Sequence, residues 1–513
     1  MRVKNSLRNF ASGLGAMLVS NILAFLSRTV FIYILGKSYL GVNGLLTNVL
    51  SMLSLAELGV GTAINFSLYK PIAENDEKKI SMLMSFYKVA YRWIGVLVFA
   101  VGLIIMPFLH VIIKDPGDVQ NIKLIFFIYL LNTASSYFIT YKTTLLEAYQ
   151  KGYLITKINI LFNTIIVISQ MIILVLTKSY IAYLLVNMIL LFIQRVYVNK
   201  KIGKLYPIVN VKSDEKLPKE ELNKIIKNVK AMMFHKIGDY CINGTDNIII
   251  STFISVSMVG IYSNYSMVIT MVNGILVMLF NSMTASMGNL IAVGSDKRKR
   301  EIFDIVNFIG FWLFGFATVC FYNLLNPFIE LWVGKEFLIS QSILVVILLN
   351  YYLTGMRVPV ATLKNAAGLY DEDKFTPIIQ SVVNLVVSII LVQKWGLAGV
   401  FMGTLVSSVV LPCWQRPYIV CKYALNTSSK GYFKKYIKYL FVVILCTVGI
   451  AFICNRFLFE TTMINFILRM GICTIIPNCL FILLFRKTDE FKEIINIMDN
   501  MLGGKIPWIR KLV

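Results

Sequence analysis

The sequence is poor in charge and in the residues on which most catalytic and metal sites depend. Only 15% of its 513 residues are charged, and it contains two histidines. None of its eight cysteines forms a CxxC pair, so the spacing of a zinc site is absent. The tripeptide GKS at Gly36 lacks the upstream glycine of a phosphate-binding loop, because position 31 is Phe. We therefore expect no metal, no cofactor, no direct use of ATP and no enzymatic activity.

Apolar residues, by contrast, are present in large excess. Hydrophobic residues make up 57% of the chain, whereas an ordinary soluble domain contains roughly half or less. The apolar runs are long and continuous, and they lack the alternating ten-residue pattern of a membrane β-barrel. Since bare backbone polar groups are not tolerated in lipid, the sequence predicts an all-α membrane protein.

Hydrophobic windows of about 20 residues, the length that crosses a bilayer, predict fourteen transmembrane helices. Their cores cover residues 10–35, 41–68, 90–113, 122–147, 155–177, 179–199, 230–255, 260–292, 303–326, 339–363, 376–393, 396–421, 436–458 and 463–485. Most connections are short, so neighbouring helices should be antiparallel. The stretch between predicted spans 6 and 7 is the one connection long enough to separate two units.

The distribution of basic residues supports this count and predicts the orientation. If the N-terminus is cytoplasmic, most of the 50 Lys and Arg residues lie in or beside inner segments, as the positive-inside rule requires. The outer loops then hold only Lys37, Lys114, Lys123, Lys178, Lys335, Lys394 and Arg456. We therefore expect a multi-pass protein of the cell inner (plasma) membrane with both termini in the cytoplasm. The net charge of +24 favours anionic membrane lipids, not nucleic acid, as partners.

Spans 1–6 and 7–12 have the pattern of an internal repeat. At an offset of 219 residues, SRTVFIYILGKSYLGV from Ser27 aligns with DNIIISTFISVSMVGI from Asp246. Six spans in each copy give a parallel repeat, related by a twofold axis along the membrane normal. We therefore expect an N-lobe at 1–200, a cytoplasmic linker at 201–229, a C-lobe at 230–425, two further helices at 430–486 and a cytoplasmic amphipathic tail at 487–513. Two such lobes are typical of transporters with a central cavity.

A few charged side chains lie inside predicted spans. Each costs about 2.5–3.5 kcal/mol at mid-bilayer on insertion scales and therefore requires a partner or a water-filled cavity. The charged residues are Arg28, Glu57, Asp246, Arg357 and Lys364. Under the repeat, Arg28 aligns with Asn247, which adjoins Asp246. By default such residues indicate function; the alternative is that Arg28 and Glu57 form a structural ion pair.

Basic residues also cluster near the inner ends of several spans. They are Lys88, Arg92, Lys142, Lys151 and Lys157, with His235 and Lys236 at the start of span 7. One interpretation is a basic vestibule for an anionic substrate, since fixed cations hold phosphates. The other is that these side chains reach lipid headgroups. Tyr262 and Tyr265, at the outer start of span 8, either stack on sugar rings or anchor the interface.

Six motifs, in order along nearly the whole chain, resemble those of the oligosaccharide flippases, or polysaccharide transporters. These belong to the multidrug/oligosaccharidyl-lipid/polysaccharide exporter superfamily, with the multidrug and toxin extrusion transporters and the lipid II flippases. The motifs are YLGVNGLLTNVLSMLSLAELGVGTAI from Tyr39, LYKPIAENDEKKI from Leu68, TDNIIISTFISVSMVGIYSNY from Thr245, MGNL from Met287, LWVGKEF from Leu331, and MRVPVATLKNAAGLYDEDKFTPIIQSVVNLVVSIILVQKWGLAGVFMGT from Met356.

The resemblance implies a substrate, namely an oligosaccharide repeat unit on a polyprenyl diphosphate, turned from the inner to the outer leaflet by alternating access. The product would be O-antigen, capsule or exopolysaccharide, and a polysaccharide polymerase would be a partner. The family's cationic cavity maps onto Arg28 and Arg357, then onto Lys142, Lys364 and Arg92. Glu57, Asp246 and Asn247 are then candidates for gating or ion coupling.

Two other functions remain open from the sequence. A cation-coupled multidrug extruder has the same two-lobe fold, although an extruder of cationic drugs should have an acidic cavity. A scaffold that assembles envelope enzymes and transports nothing is the other alternative, and the intramembrane charges argue against it. The sugar composition, the coupled ion and the oligomeric state are not encoded in any motif.

Overall fold

In the computed structural model, the described residues are 2–53, 57, 60–113, 115–149, 151–210, 217–223, 225, 226, 229, 244–369, 371–458 and 460–501. All regular structure within these ranges is helical. The helices of eight residues or more are α1 (Arg2–Leu53), α2 (Val60–Glu74), α3 (Glu77–Ile105), α4 (Ile122–Ala148), α5 (Gly152–Thr177), α6 (Tyr180–Leu205), α7 (Asp246–Phe253), α8 (Val256–Val293), α9 (Asp296–Val333), α10 (Gln341–Ala366), α11 (Thr376–Val410), α12 (Pro412–Ile419), α13 (Lys430–Phe457), α14 (Met463–Phe485) and α15 (Asp489–Met501).

Eleven helical segments in the described ranges are long and apolar enough to cross a membrane. Two of them join predicted spans through a glycine with positive φ, a conformation that costs glycine little. Gly36, with φ of 78°, lies in α1 between predicted spans 1 and 2. Gly396, with φ of 55°, lies in α11 between predicted spans 11 and 12. The chain is therefore a multi-pass helical membrane protein.

The count of fourteen spans stays a prediction. Predicted span 7, at 230–255, lies mostly outside the described residues, and only its end is present as α7. Predicted span 3 differs in its limits, because α3 begins at Glu77 and not near residue 90. Asp76 caps this start by accepting a hydrogen bond from the Lys79 backbone N–H at 2.9 Å, as N-cap carboxylates do.

The chain divides into two compact units, Met1–Ser263 and Asn264–Val513. The division falls within α8, whereas the repeat predicts a boundary near residue 230. Residues 246–263 belong to the first unit because α7 and the start of α8 pack against α1. The lobe limits drawn from the repeat stay predictions.

In the first unit, the segment after α6 packs onto the helical body. Val209 and Ile225 are buried in one cluster with Tyr87 of α3. Glu221 forms an ion pair with Lys79, also on α3. The described part of the predicted linker is thus in contact with α3.

In the second unit, α9 lies in an aromatic core shared with α13 and α14. The rings of Phe311 and Tyr439 stack at 4.3 Å between centroids, and Phe485 packs against both. The apolar face of α15 joins this core, since Phe491 and Ile495 are buried there. This part of the predicted amphipathic tail therefore packs against protein.

An ion-pair network holds the start of α15. Lys435 Nζ lies 2.6 Å from Glu490 Oε1 and 2.9 Å from Asp304 Oδ2. Burial raises the pKa of the Glu490 carboxyl, but the hydrogen bonds from Lys435, its own backbone N–H and Thr488, with the positive charge of Lys435, together outweigh burial and leave the pKa below its ordinary value. Glu490 therefore stabilises the docked position of α15 in its ionised form.

We expect α15 to loosen in acid. A carboxyl with a depressed folded-state pKa stabilises the fold above its unfolded pKa of about 4.3, and this contribution is lost as the pH falls through the folded pKa. A spin label at the exposed position 496 should become more mobile between pH 7 and pH 3.5. Glu490→Gln should be mobile already at pH 7 and should respond less to acid. An equal response in both proteins would show that Glu490 does not hold the helix.

Candidate functional site

Arg28 lies in α1, about two helical turns before the kink at Gly36. Its Nη1 donates a hydrogen bond of 2.8 Å to Ser263 Oγ in α8. It also lies beside the phenol of Tyr183, which belongs to α6. A guanidinium has five N–H donors in a planar fork, a geometry that suits carboxylate and phosphate groups.

Glu57 lies between α1 and α2. Its Oε1 accepts a hydrogen bond of 3.2 Å from the hydroxyl of Tyr91, a fully buried residue of α3. A half-buried carboxylate bound by a buried phenol is sensitive to movement of the helix that carries the phenol. This contact joins Glu57 to α3.

Three basic side chains of the predicted inner vestibule lie on α3 and α4. Lys142 is 7% exposed, and its ammonium group interacts electrostatically with that of Lys88. Arg92 lies near the phenol of Tyr141, which adjoins Lys142 in the chain. The like charges of Lys142 and Lys88 repel each other, and an anion between them would relieve the repulsion; Arg92 is exposed.

Asp246 and Asn247 form the first turn of α7. Asp246 Oδ1 and Asn247 Oδ1 are both inaccessible and have no hydrogen-bond partner in the described part of the chain. Two adjacent unsatisfied oxygens are costly in a membrane protein and favour a bound proton or cation, or a partner in another state. His235 and Lys236, also predicted for this region, lie outside the described residues.

In the second unit, Arg357 projects from α10. Its Nη2 donates to Thr354 Oγ1 at 2.9 Å, one turn earlier in the same helix. Its charge interacts with that of Arg416 in α12 and with the phenols of Tyr432 and Tyr436. Two guanidinium groups are thus held near each other beside aromatic side chains.

Lys364 forms a buried ion pair that the sequence did not predict. Its Nζ lies 2.6 Å from both carboxylate oxygens of Asp373, which is 2% exposed. Arg416 Nε approaches Asp373 Oδ2 at 3.4 Å from the other side. Asp373 therefore neutralises part of this cluster and ties the loop after α10 to α12.

Two further positions differ from what the sequence indicates. Arg195, which the sequence did not single out, lies within α6 and donates a 2.6 Å hydrogen bond to Ser135 Oγ in α4. Tyr265 is fully buried, and its hydroxyl binds Asn326 Oδ1 at 2.7 Å and the Ile339 backbone N–H at 3.2 Å. Tyr265 is therefore a structural residue and does not stack on a sugar.

The fold is similar to the folds of a solved lipid II flippase and of solved multidrug transporters. The chain is similar to the lipid II flippase MurJ in an inward closed conformation, with a TM-score of 0.69, 14% identity, and coverage of 92% of this chain and 98% of that one. It is also similar to an inward-facing multidrug resistance MATE family transporter, with a TM-score of 0.60, 14% identity, and coverage of 77% and 94%. For the Vibrio cholerae MATE transporter VcmN in its bent form, the TM-score is 0.54 and the identity is 13%, with coverage of 83% of this chain and 98% of that one. At such identities the likeness concerns the fold alone.

Sequence comparison identifies the family. The model of the polysaccharide biosynthesis protein family matches residues 6–284, more than half of the chain. The protein therefore belongs to the polysaccharide biosynthesis protein family. A search of curated protein sequences gave no match. The matched range includes Arg28, Arg92 and Lys142, together with the segment of α8 that binds Arg28.

Proposed function

We propose that this protein is a flippase for polyprenyl-diphosphate-linked oligosaccharide repeat units. It turns them from the inner to the outer leaflet by alternating access, for the synthesis of O-antigen, capsule or exopolysaccharide. It works in the inner membrane with both termini in the cytoplasm, beside a polysaccharide polymerase. Family membership supports a role in polysaccharide synthesis, and the fold supports transport.

The observation that carries the proposal is the set of basic side chains on membrane-length helices. Arg28 is bound to a neutral hydroxyl, and Lys142 is buried near a second lysine. Diphosphate offers several charged acceptor oxygens, and hydrogen bonds between ionised groups are roughly twice as strong as neutral ones. A sugar without phosphate has no comparable use for these cations.

Within this proposal, Arg28, Lys142, Arg92 and Arg357 bind the diphosphate. Lys364 has a different role, because Asp373 already occupies its ammonium group; we assign it to holding the loop after α10. Glu57, Asp246 and Asn247 take part in gating or ion coupling. Glu57 accepts a hydrogen bond from the phenol of Tyr91, and within the described part of the chain Asp246 Oδ1 and Asn247 Oδ1 have no hydrogen-bond partner.

The same fold also supports a cation-coupled multidrug extruder, and a non-transporting envelope scaffold is the third candidate. Cells that lack the protein separate these functions. A flippase requires that surface polysaccharide is lost while the lipid-linked repeat unit accumulates in the membrane. If drug sensitivity rises and polysaccharide stays normal, the protein is an extruder. If polysaccharide is lost without any lipid-linked intermediate, the protein acts in assembly.

We expect the membrane potential to drive flipping. A diphosphate carries about two negative charges, and each gains about 2.3 kcal/mol per 100 mV when it moves outward across an inside-negative membrane. In proteoliposomes, valinomycin with equal potassium on both sides should therefore slow outward flipping at constant pH. Collapse of a pH gradient alone, at constant potential, serves as the control. A flipping rate that follows the pH gradient and ignores the potential would require a coupled proton.

A further inference from the structure

The two repeats touch each other at equivalent positions. Ser38 Oγ and Ser257 Oγ lie 3.3 Å apart, and these residues are separated by 219 positions in the chain. This separation is the offset at which Ser27–Val42 aligns with Asp246–Ile261. Two residues that are equivalent in a twofold repeat can meet only on the axis that relates them. A local twofold axis therefore passes between the two hydroxyl groups.

Two glycines beside this axis make reciprocal contacts. A Cβ atom at Gly41 would collide with the backbone carbonyl of Val256, and a Cβ atom at Gly260 would collide with that of Lys37. At the same offset, Gly41 is equivalent to Gly260 and Lys37 is equivalent to Val256. Each contact is therefore the symmetry mate of the other. Small residues allow such close approach between membrane helices. We call Ser38, Gly41, Ser257 and Gly260 the glycine seam.

A chain of hydrogen bonds connects the glycine seam to Arg28. Arg28 Nη1 donates to Ser263 Oγ at 2.8 Å. Ser263 Oγ in turn donates to the backbone carbonyl of Gly260 at 2.7 Å. The hydroxyl of Ser263 thus lies between a predicted substrate-binding cation and a glycine of the seam.

This connection breaks the symmetry of the repeat. The position equivalent to Ser263 is Gly44, which has no hydroxyl, and the position equivalent to Arg28 is Asn247. Both repeats contribute equivalent glycine contacts. The hydrogen bonds from Arg28 to Ser263 and from Ser263 to Gly260 have no equivalent through Gly44, which lacks a side-chain hydroxyl. Helix packing alone does not account for a one-sided polar link between two membrane helices.

We propose that Ser263 is a positioning residue that couples anion binding at Arg28 to opening of the glycine seam. This inference rests on the proposed flippase function, and the anion is the diphosphate of the lipid-linked substrate. When phosphate oxygens take the Nη1 donor of Arg28, Ser263 loses its hydrogen bond to α1, and the Ser38–Ser257 contact at the seam remains as a weaker link between α1 and α8. A poorly solvated hydroxyl left without its donor destabilises the contact. The seam lies at the end of the spans predicted to face outward, so its opening releases substrate on the outer side.

Cross-linking across the axis tests this coupling. The double variant Ser38→Cys/Ser257→Cys, purified into nanodiscs, should form an intramolecular disulfide under mild oxidation, and neither single variant should form it. Polyprenyl diphosphate without sugar should slow disulfide formation about fivefold or more, the lower end of usual coupling between sites. Inorganic diphosphate at the same concentration shows whether the anion suffices without its lipid. The expected result is slowing by the lipid diphosphate, whether or not the free anion also acts.

Two changes at position 263 then separate coupling from structure. With Ser263→Ala, the disulfide should form at one rate with and without polyprenyl diphosphate. With Ser263→Thr, which keeps the hydroxyl, the slowing should return. An effect of the lipid that persists in Ser263→Ala overturns the coupling and leaves the proposed function intact. Native mass spectrometry on the same samples measures whether polyprenyl diphosphate binds at all. If the lipid does not bind, the proposed substrate and the proposed coupling are both wrong.

Discussion

Replacing Arg28 by alanine is expected to lower export of surface polysaccharide about 30-fold or more, with a normal amount of protein in the membrane. Truncating one partner of a buried, hydrogen-bonded charge pair costs about 2–5 kcal/mol, and about 1.4 kcal/mol corresponds to a tenfold change. Because the guanidinium supplies several donors to one diphosphate, Arg28→Lys should also be impaired, though less than Arg28→Ala.

A suitable control for this prediction is Arg456→Ala. Arg456 is exposed in the last turn of α13 and lies in the second unit. Its loss should leave polysaccharide export unchanged, so a defect confined to Arg28 cannot come from a general loss of positive charge. Normal export by Arg28→Ala, at a normal protein level, would exclude Arg28 from the binding site and would favour the scaffold or the drug extruder.

Replacing Asp373 by alanine is expected to destabilise the second unit by about 3–5 kcal/mol, the usual cost of removing one partner from a buried ion pair. Lys364 and Arg416 would then lie near each other without the carboxylate that binds both. The thermal unfolding midpoint of the purified protein in detergent measures this loss. Polysaccharide export should fall mainly because less protein accumulates.

Asp371→Ala is the matched control in the same loop. The side chain of Asp371 is 95% exposed and lies 3.9 Å from Lys374, and exposed pairs contribute about 0–1 kcal/mol. Its replacement should therefore leave the unfolding midpoint almost unchanged. If Asp373→Ala and Asp371→Ala have the same unfolding midpoint, the buried ion pair does not stabilise the fold. Lys364 is then again a candidate for substrate binding.

The membrane architecture was predictable because lipid imposes a strong physical requirement. Long apolar segments have few alternatives to a spanning helix, and α4, α5 and α6 lie close to their predicted limits. Hydropathy cannot distinguish a loop from a kink, however, since both interrupt the pattern at one or two residues. Predicted span 1 and the first part of predicted span 2 lie in one helix bent at Gly36, and predicted span 11 and the first part of predicted span 12 lie in one helix bent at Gly396.

Residues of the candidate site were predictable from the sequence where a charged residue interrupts an apolar segment. Arg28 is recognisable because it interrupts an apolar run, and its charge is costly in lipid. Arg195 was missed because basic residues near an inner helix end are ordinary, and its bond to Ser135 depends on how α6 packs against α4. Asp373 lies in a polar loop and Arg416 near the end of predicted span 12, and only the folded chain brings them to Lys364.

The contact between the two repeats was also not predictable from the sequence. The alignment of Gly41 with Gly260 is visible in the sequence, and so is the alignment of Ser38 with Ser257. Sequence equivalence does not indicate that equivalent residues touch, because most residues of a twofold repeat lie far from its axis. The meeting of Ser38 and Ser257 at 3.3 Å is information that packing alone supplies.

Flipping by the purified protein tests the central claim most directly. The protein is reconstituted into liposomes that carry a fluorescent polyprenyl-diphosphate oligosaccharide, and an impermeant quencher then reports how much label changes leaflet. The account predicts rapid flipping with the wild-type protein, and flipping near the protein-free rate with Arg28→Ala. Flipping at the protein-free rate by folded wild-type protein, under an imposed potential and with the repeat unit of its own cell, would contradict it.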